Sequence, residues 1–268
     1  MMIPFELING LAVLEAEAAG HTGRFVVDTG CSLTSLDAGW AAERGVTADS
    51  EIMAHGSGSV SASLATTSLR LGDLVIGEQQ VVLMPLDGVS KKFGVPIDGI
   101  IGFDILSRGI VEIDFREQTL AMLDEWNGNG AVIPVDLTYR IPIAGATIVL
   151  TPGVELTARM AIDLGSTRID VRLLGPFVDA HQQQLDALEL TPGAFGTGVG
   201  GDIDGHLCRF AEVRVGELTI AAPTAAITRS RAGAMGLDLF DGTIGATVFQ
   251  DRRLILDYAR NRVIVAIT

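Results

Sequence analysis

The sequence predicts an all-β protein built from two similar halves. Three observations carry this reading: blocks of the first half recur in order in the second, the apolar runs are short and bounded by turn signals, and the composition suits strands. The 268 residues suffice for one large domain or two small ones. They are 48% hydrophobic, 19% charged and only 5% aromatic, with 32 glycines. Val and Ile favour strands, and abundant glycine favours turns and bulges.

The repeat is the organising feature. RFVVDTGCSLTSL (residues 24–36) returns as RMAIDLGSTRIDV (159–171), which sets Asp163 against Asp28 at an offset of 163 − 28 = 135. IDGIIGFDIL, beginning at Ile97, returns as FDGTIGATVF, beginning at Phe240, at an offset of 240 − 97 = 143. The same offset carries VEIDF (111–115) onto LILDY (254–258), and LRLGD at Leu69 matches VRVGE at Val213. The Asn-Gly pairs of WNGNG (126–130) mark a turn or linker between the halves. The expected organisation is therefore a first lobe over 1–125, a linker over 126–138 and a second lobe over 139–268.

Within the lobes, LAVLEAEA (11–18), RFVVD (24–28) and VVLMPL (81–86) read as strands. Helical periodicity is confined to small pieces. Residues 35–45 place Leu36, Trp40 and Ala41 on one face, with an Asp near the start and Gly45 as a stop. Residues 176–188, opening with Pro176, are the expected counterpart in the second lobe.

Composition excludes several functions. A net charge of −14 opposes binding to nucleic acid or to anionic membrane. Cys31 and Cys208 are far apart, and His21, His55, His181 and His206 are scattered, so neither a disulfide framework nor a metal site is expected. Gly196-x-Gly198-x-x-Gly201 imitates a dinucleotide-binding loop, but it does not lie between a strand and a helix. No secretory signal and no membrane-length apolar run is visible, so the expected compartment is the cytoplasm.

The chemistry lies in the repeated Asp-x-Gly. One copy after an apolar strand is ordinary turn chemistry. Two copies, each followed later by Ile100-Ile101-Gly102 or Thr243-Ile244-Gly245, make a pattern. This pattern resembles the retropepsin-like and pepsin-like aspartic proteases, in a tandem, two-lobed, single-chain form, over nearly the whole chain. The resemblance implies a bilobal acid-protease fold: two β-barrel-like lobes related by a pseudo-twofold axis, with a few short helices. It implies Asp28 and Asp163 as the catalytic pair, with Thr29, Gly30, Leu164, Gly165 and Ser166 in the supporting loops. Flaps over the substrate are expected at Gly56, Ser57 and Gly58 and at Gly196, Thr197 and Gly198. Strands near 3–7, 131–135 and 263–267 are expected to form the sheet that joins the lobes.

The resemblance further implies an aspartic endopeptidase that activates water between two carboxylates. Peptide or protein is then the partner, no cofactor is needed, and a monomer suffices because one chain supplies both aspartates. Like charges held close together share one proton. Ser166 is a better donor than Cys31, so Asp163 is expected as the ionised member and Asp28 as the protonated one. One departure stands out. Thr29 can brace the opposite loop through its hydroxyl, whereas Leu164 cannot, and this favours the alternative of a catalytically inactive peptide-binding module that retains the cleft.

Overall fold

The computed structural model describes residues 2–266, apart from the side chains of Phe195 and Thr197. Strands account for 52% of the protein and helices for 14%, an all-β, bilobal arrangement. The repeated sequence blocks are joined by repeated hydrogen bonds. In the first lobe, strand His21–Val27 runs parallel to Gly99–Ile101, and Arg24 N–H donates to Asp98 Oδ2 at 2.8 Å. In the second, Val154–Asp163 runs parallel to Gly242–Gly245, and Arg159 N–H donates to Asp241 Oδ2 at 2.7 Å. A third short strand completes each centre: Ser35–Asp37 lies antiparallel to Gly99–Ile101, and Val171–Leu173 lies antiparallel to Gly242–Gly245.

A six-stranded antiparallel run joins the lobes in the order Gly130–Pro134, Arg262–Ala266, Arg253–Asp257, Ile110–Asp114, Thr119–Leu123 and Met2–Ile8. The three stretches expected to join the lobes lie in it, except Val135, which follows strand Gly130–Pro134, and Ile267, which falls outside the described residues. At its centre Val111 faces Leu256, Glu112 faces Ile255 and Ile113 faces Leu254. Glu112 and Ile255 are equivalent positions, since 255 − 112 = 143 is the repeat offset. Each position is therefore paired with its own image, and the pseudo-twofold axis passes between them. Arg253 Nε donates to Asp114 Oδ2 at 3.0 Å across this seam, and Phe103 stacks on Tyr258 with centroids 5.2 Å apart. One continuous core crosses it too, with Phe25, Ile113, Phe210 and Phe249 all fully buried. Each such side chain contributes about 1.5–3 kcal/mol of burial free energy.

The short helices depart from expectation in detail. Residues 35–45 divide into strand Ser35–Asp37 and helix Ala38–Glu43, capped by Asp37 Oδ1 accepting from Trp40 N–H at 2.8 Å. Residues 176–188 form two pieces, Gly175–Ala180 and Gln182–Leu185. Helix Asp87–Phe93 was not expected; it buries no residue fully, so its sequence carries no strong apolar stripe. Strand Gly130–Pro134 lies inside the segment read as a linker. Among the described residues, no helix is long and apolar enough to cross a membrane.

Candidate active site

Each Asp-x-Gly sits at the end of an inner strand, and the second repeated block fixes the loop that follows. Asp28 N–H donates to Ile101 O at 3.0 Å, and Phe103 N–H donates to Cys31 O at 2.8 Å. The second lobe repeats the latter contact, with Ala246 N–H donating to Ser166 O at 2.8 Å. The two blocks recur together because one holds the other in place.

The loops bring Asp28 and Asp163 together: the space a Cβ on Gly30 would take lies within 3.2 Å of an oxygen of each, and each carboxyl acts directly on the other. Asp28 Oδ1 accepts from Gly30 N–H at 2.8 Å and from Gly165 N–H of the opposite lobe at 3.2 Å. The glycines are required by this close approach: a Cβ on Gly30 would lie 2.8 Å from Asp163 Oδ1, and one on Gly165 would overlap Asp28 Oδ2. Thr29 braces the pair from below. Its hydroxyl donates to Ile162 O at 2.7 Å and accepts from Leu164 N–H at 3.0 Å. Leu164 makes no reciprocal hydroxyl contact; its side chain is packed in the core at 1% exposure.

The two carboxyls sit in unlike fields. Burial, and then the charge of Asp163, push the Asp28 carboxyl up to about 8. Burial also raises Asp163, but the Arg172 guanidinium opposes that rise most strongly. The hydrogen bond from Asp28 and the backbone N–H groups of Gly165 and Ser166 act in the same direction as Arg172. Both carboxyls are raised, but the Asp163 charge raises Asp28 further while Arg172 and the N–H donors restrain Asp163, so the shared proton favours Asp28. The chief source of the difference is Arg172, which the sequence reading missed. Cys31 Sγ donates to Leu33 O at 2.9 Å, and burial pushes the thiol up to about 12, so it is an inert filler.

Two hairpins roof the dyad. The first joins Ser50–His55 to Ser59–Leu71, and the second joins Thr191–Gly198 to Gly201–Arg209. They touch at their tips: Gly58 N–H donates to Val199 O at 3.0 Å, and Ser57 Oγ contacts Val199 O at 3.0 Å and Gly201 O at 2.8 Å. Ala234 N–H donates to Gly56 O at 2.9 Å, fastening the first hairpin to the second lobe. Beneath lies a cavity of about 530 Å³ lined by both aspartates.

Asp28, Gly30, Asp163, Gly165 and Ser166 all line this cavity, whereas Thr29 and Leu164 lie beneath it. Gly56, Ser57, Gly196 and Gly198 line it from the hairpins, and Gly58 lies at the first tip. Thr197 is in the second hairpin strand, with its side chain outside the described residues. The tip of that hairpin is Val199–Gly200, just beyond the glycines singled out in the sequence. The apparent dinucleotide loop is this antiparallel hairpin.

Residues 14–105 match a family model described as aspartyl protease. The match covers the Asp28 loop, the first hairpin and the Ile100-Ile101-Gly102 block of the first lobe, and does not reach the strands Met2–Ile8, Ile110–Asp114 and Thr119–Leu123. No curated protein matches the chain.

Proposed function

We propose that this chain, which belongs with the aspartic proteases, is an endopeptidase whose catalytic pair is Asp28 and Asp163. The observation that carries the reading is their contact at the centre of a roofed cleft, each carboxyl supplied by a different lobe. Asp163, held ionised, takes a proton from a water between the carboxyls as the water oxygen attacks the scissile carbonyl carbon. Asp28 gives its proton to the carbonyl oxygen, producing a neutral gem-diol and leaving one proton on the pair. Collapse of the diol breaks the C–N bond and delivers a proton to the departing nitrogen. An extended peptide lies across the cleft, and the hairpins must part to admit it and close to exclude water.

Digestion of unstructured peptides by wild type, Asp28→Asn and Asp163→Asn tests this reading. Wild type should cleave, and each variant should lose about 100- to 10,000-fold in rate while keeping its circular dichroism spectrum. Equal residual cleavage by all three proteins would refute the assignment. Leu164 favours a second reading, a peptide-binding module without turnover, because the loops are braced by one hydroxyl only. Peptide binding without cleavage by wild type would select that reading.

A further inference from the structure

The cleft is not chemically symmetric, although the lobes that form it are. Ser35 faces Ile100 in the first lobe, and the equivalent pair in the second is Arg172 facing Thr243. Ile100 and Thr243 are related by the repeat offset of 143. Val171 and Leu173 point into the core, so strand alternation turns Arg172 to the cleft face. The residue is only 7% exposed. A Cβ on Gly196 would lie 3.2 Å from Arg172 Nη2, so the second hairpin passes directly over the guanidinium at a glycine. Beside it, Thr243 Oγ1 is buried and lacks a hydrogen-bond partner among the described residues. Such a hydroxyl is costly to leave unsatisfied.

The charges lining the cleft point the same way. Among the described lining residues the only acids are Asp28 and Asp163; the remaining charged side chains are Lys92, Arg168 and Arg172. This occurs in a protein of net charge −14. On the first-lobe side, which also carries Lys92, Ile52, Val82, Met84 and Ile100 form an apolar wall segment.

We infer that Arg172 and Thr243 form a specificity subsite for an acidic side chain, so that the substrate carries Asp or Glu on the second-lobe side of the scissile bond. The inference rests on the endopeptidase reading above and adds the class of substrate. A guanidinium fork and a hydroxyl donate together to a carboxylate, and the positive charge offsets the repulsion that a third carboxylate would meet near the dyad. The apolar wall receives a hydrophobic residue on the opposite side of the bond.

The test uses paired peptides that differ only by Glu or Gln at each position flanking the cleavage site. Wild type should favour the Glu peptide at one flank by about 10- to 100-fold in kcat/KM. Arg172→Met should bring that ratio close to one, and Thr243→Val should lower it part of the way. The ratio reads specificity whatever happens to the overall rate. Arg172→Lys keeps the charge without the fork and should give an intermediate ratio, which preserves the test should the Met variant fail to fold. Cleavage by wild type with no Glu preference at either flank, or an undiminished preference in Arg172→Met, would overturn the inference and leave proteolysis standing. Absence of any cleavage would instead remove the endopeptidase reading. Calorimetry with reduced-amide versions of the paired peptides then decides the subsite: tighter binding of Glu that is lost in Arg172→Met supports it, and equal binding overturns it.

Discussion

The first lobe sets Ser35 against Ile100 at the floor of the cleft, and the second lobe sets Arg172 against Thr243 on the equivalent strands. The backbone frames agree closely: the same parallel pairing, the same Arg N–H to Asp contact, and the same N–H to carbonyl clamp on each Asp-x-Gly loop. Repetition supplies two equivalent carboxyls, but an aspartic dyad works only if one carboxyl holds the proton and the other the charge. Arg172 breaks the equivalence. It sits on Asp163's side of the axis and has no charged counterpart in the first lobe, where the matching position is Ser35.

The bracing of the loops is unequal in the opposite sense. Thr29 of the first lobe makes both cross-lobe hydroxyl contacts, whereas Leu164 contributes its backbone N–H and a buried apolar side chain. The scaffold tolerates a one-sided brace because the six-stranded joining sheet and a shared core already fix the lobes to each other.

Substitutions can break this comparison one level at a time. The largest effect is expected from Gly165→Ala, whose Cβ would collide with the Asp28 carboxyl. Displacing the pair should lower kcat/KM by about 100-fold, with little change in secondary structure by circular dichroism. Leu164→Thr comes next. It makes a reciprocal brace available but removes a packed core side chain, and burial outweighs one hydrogen bond. Stability should fall by about 2–4 kcal/mol in denaturant titration with no rise in turnover. Thr29→Val removes both existing cross-lobe contacts and should cost about 1–3 kcal/mol, together with part of the activity. Thr29→Val with unchanged stability and activity would deny that Thr29 carries the brace.

The last prediction concerns pH. Asp28 carries its proton up to about 8 in the fold, against an ordinary value of 3.8. The native state therefore binds this proton more tightly than the unfolded chain does. The stabilisation is complete below about pH 4 and is lost as pH rises towards 8. Asn cannot titrate, so Asp28→Asn should flatten the fall in Tm across this range and make the variant more stable than wild type at pH 8. A wild-type Tm that rises from pH 4 to 8, with the same slope in the variant, would contradict the assignment.

Much of the frame was legible in the sequence because each recurring block has a backbone role. The Asp of Ile97-Asp98-Gly99 and of Phe240-Asp241-Gly242 caps an arginine N–H, and the offset of 143 survives as the pairing of Glu112 with Ile255. Arg172 was not legible. It is separated from Asp163 by nine residues (172 − 163), whereas Ser35 is separated from Asp28 by seven (35 − 28), so aligning the motifs does not set them opposite each other. Only the strand register does so. The turn of the second hairpin was not legible, because its glycines continue from Gly196 to Gly201 and sequence alone does not show where the chain reverses.

The division of labour between the carboxyls is the central claim, and residue-assigned carbon-13 NMR of the aspartate carboxyls, titrated from pH 3 to 9, tests it most directly. Asp28 should hold its proton through neutral pH and release it near 8, and Asp163 should lose its proton at lower pH than Asp28. Asp163 retaining its proton to higher pH than Asp28, or both carboxyls ionising together below pH 5, would contradict it.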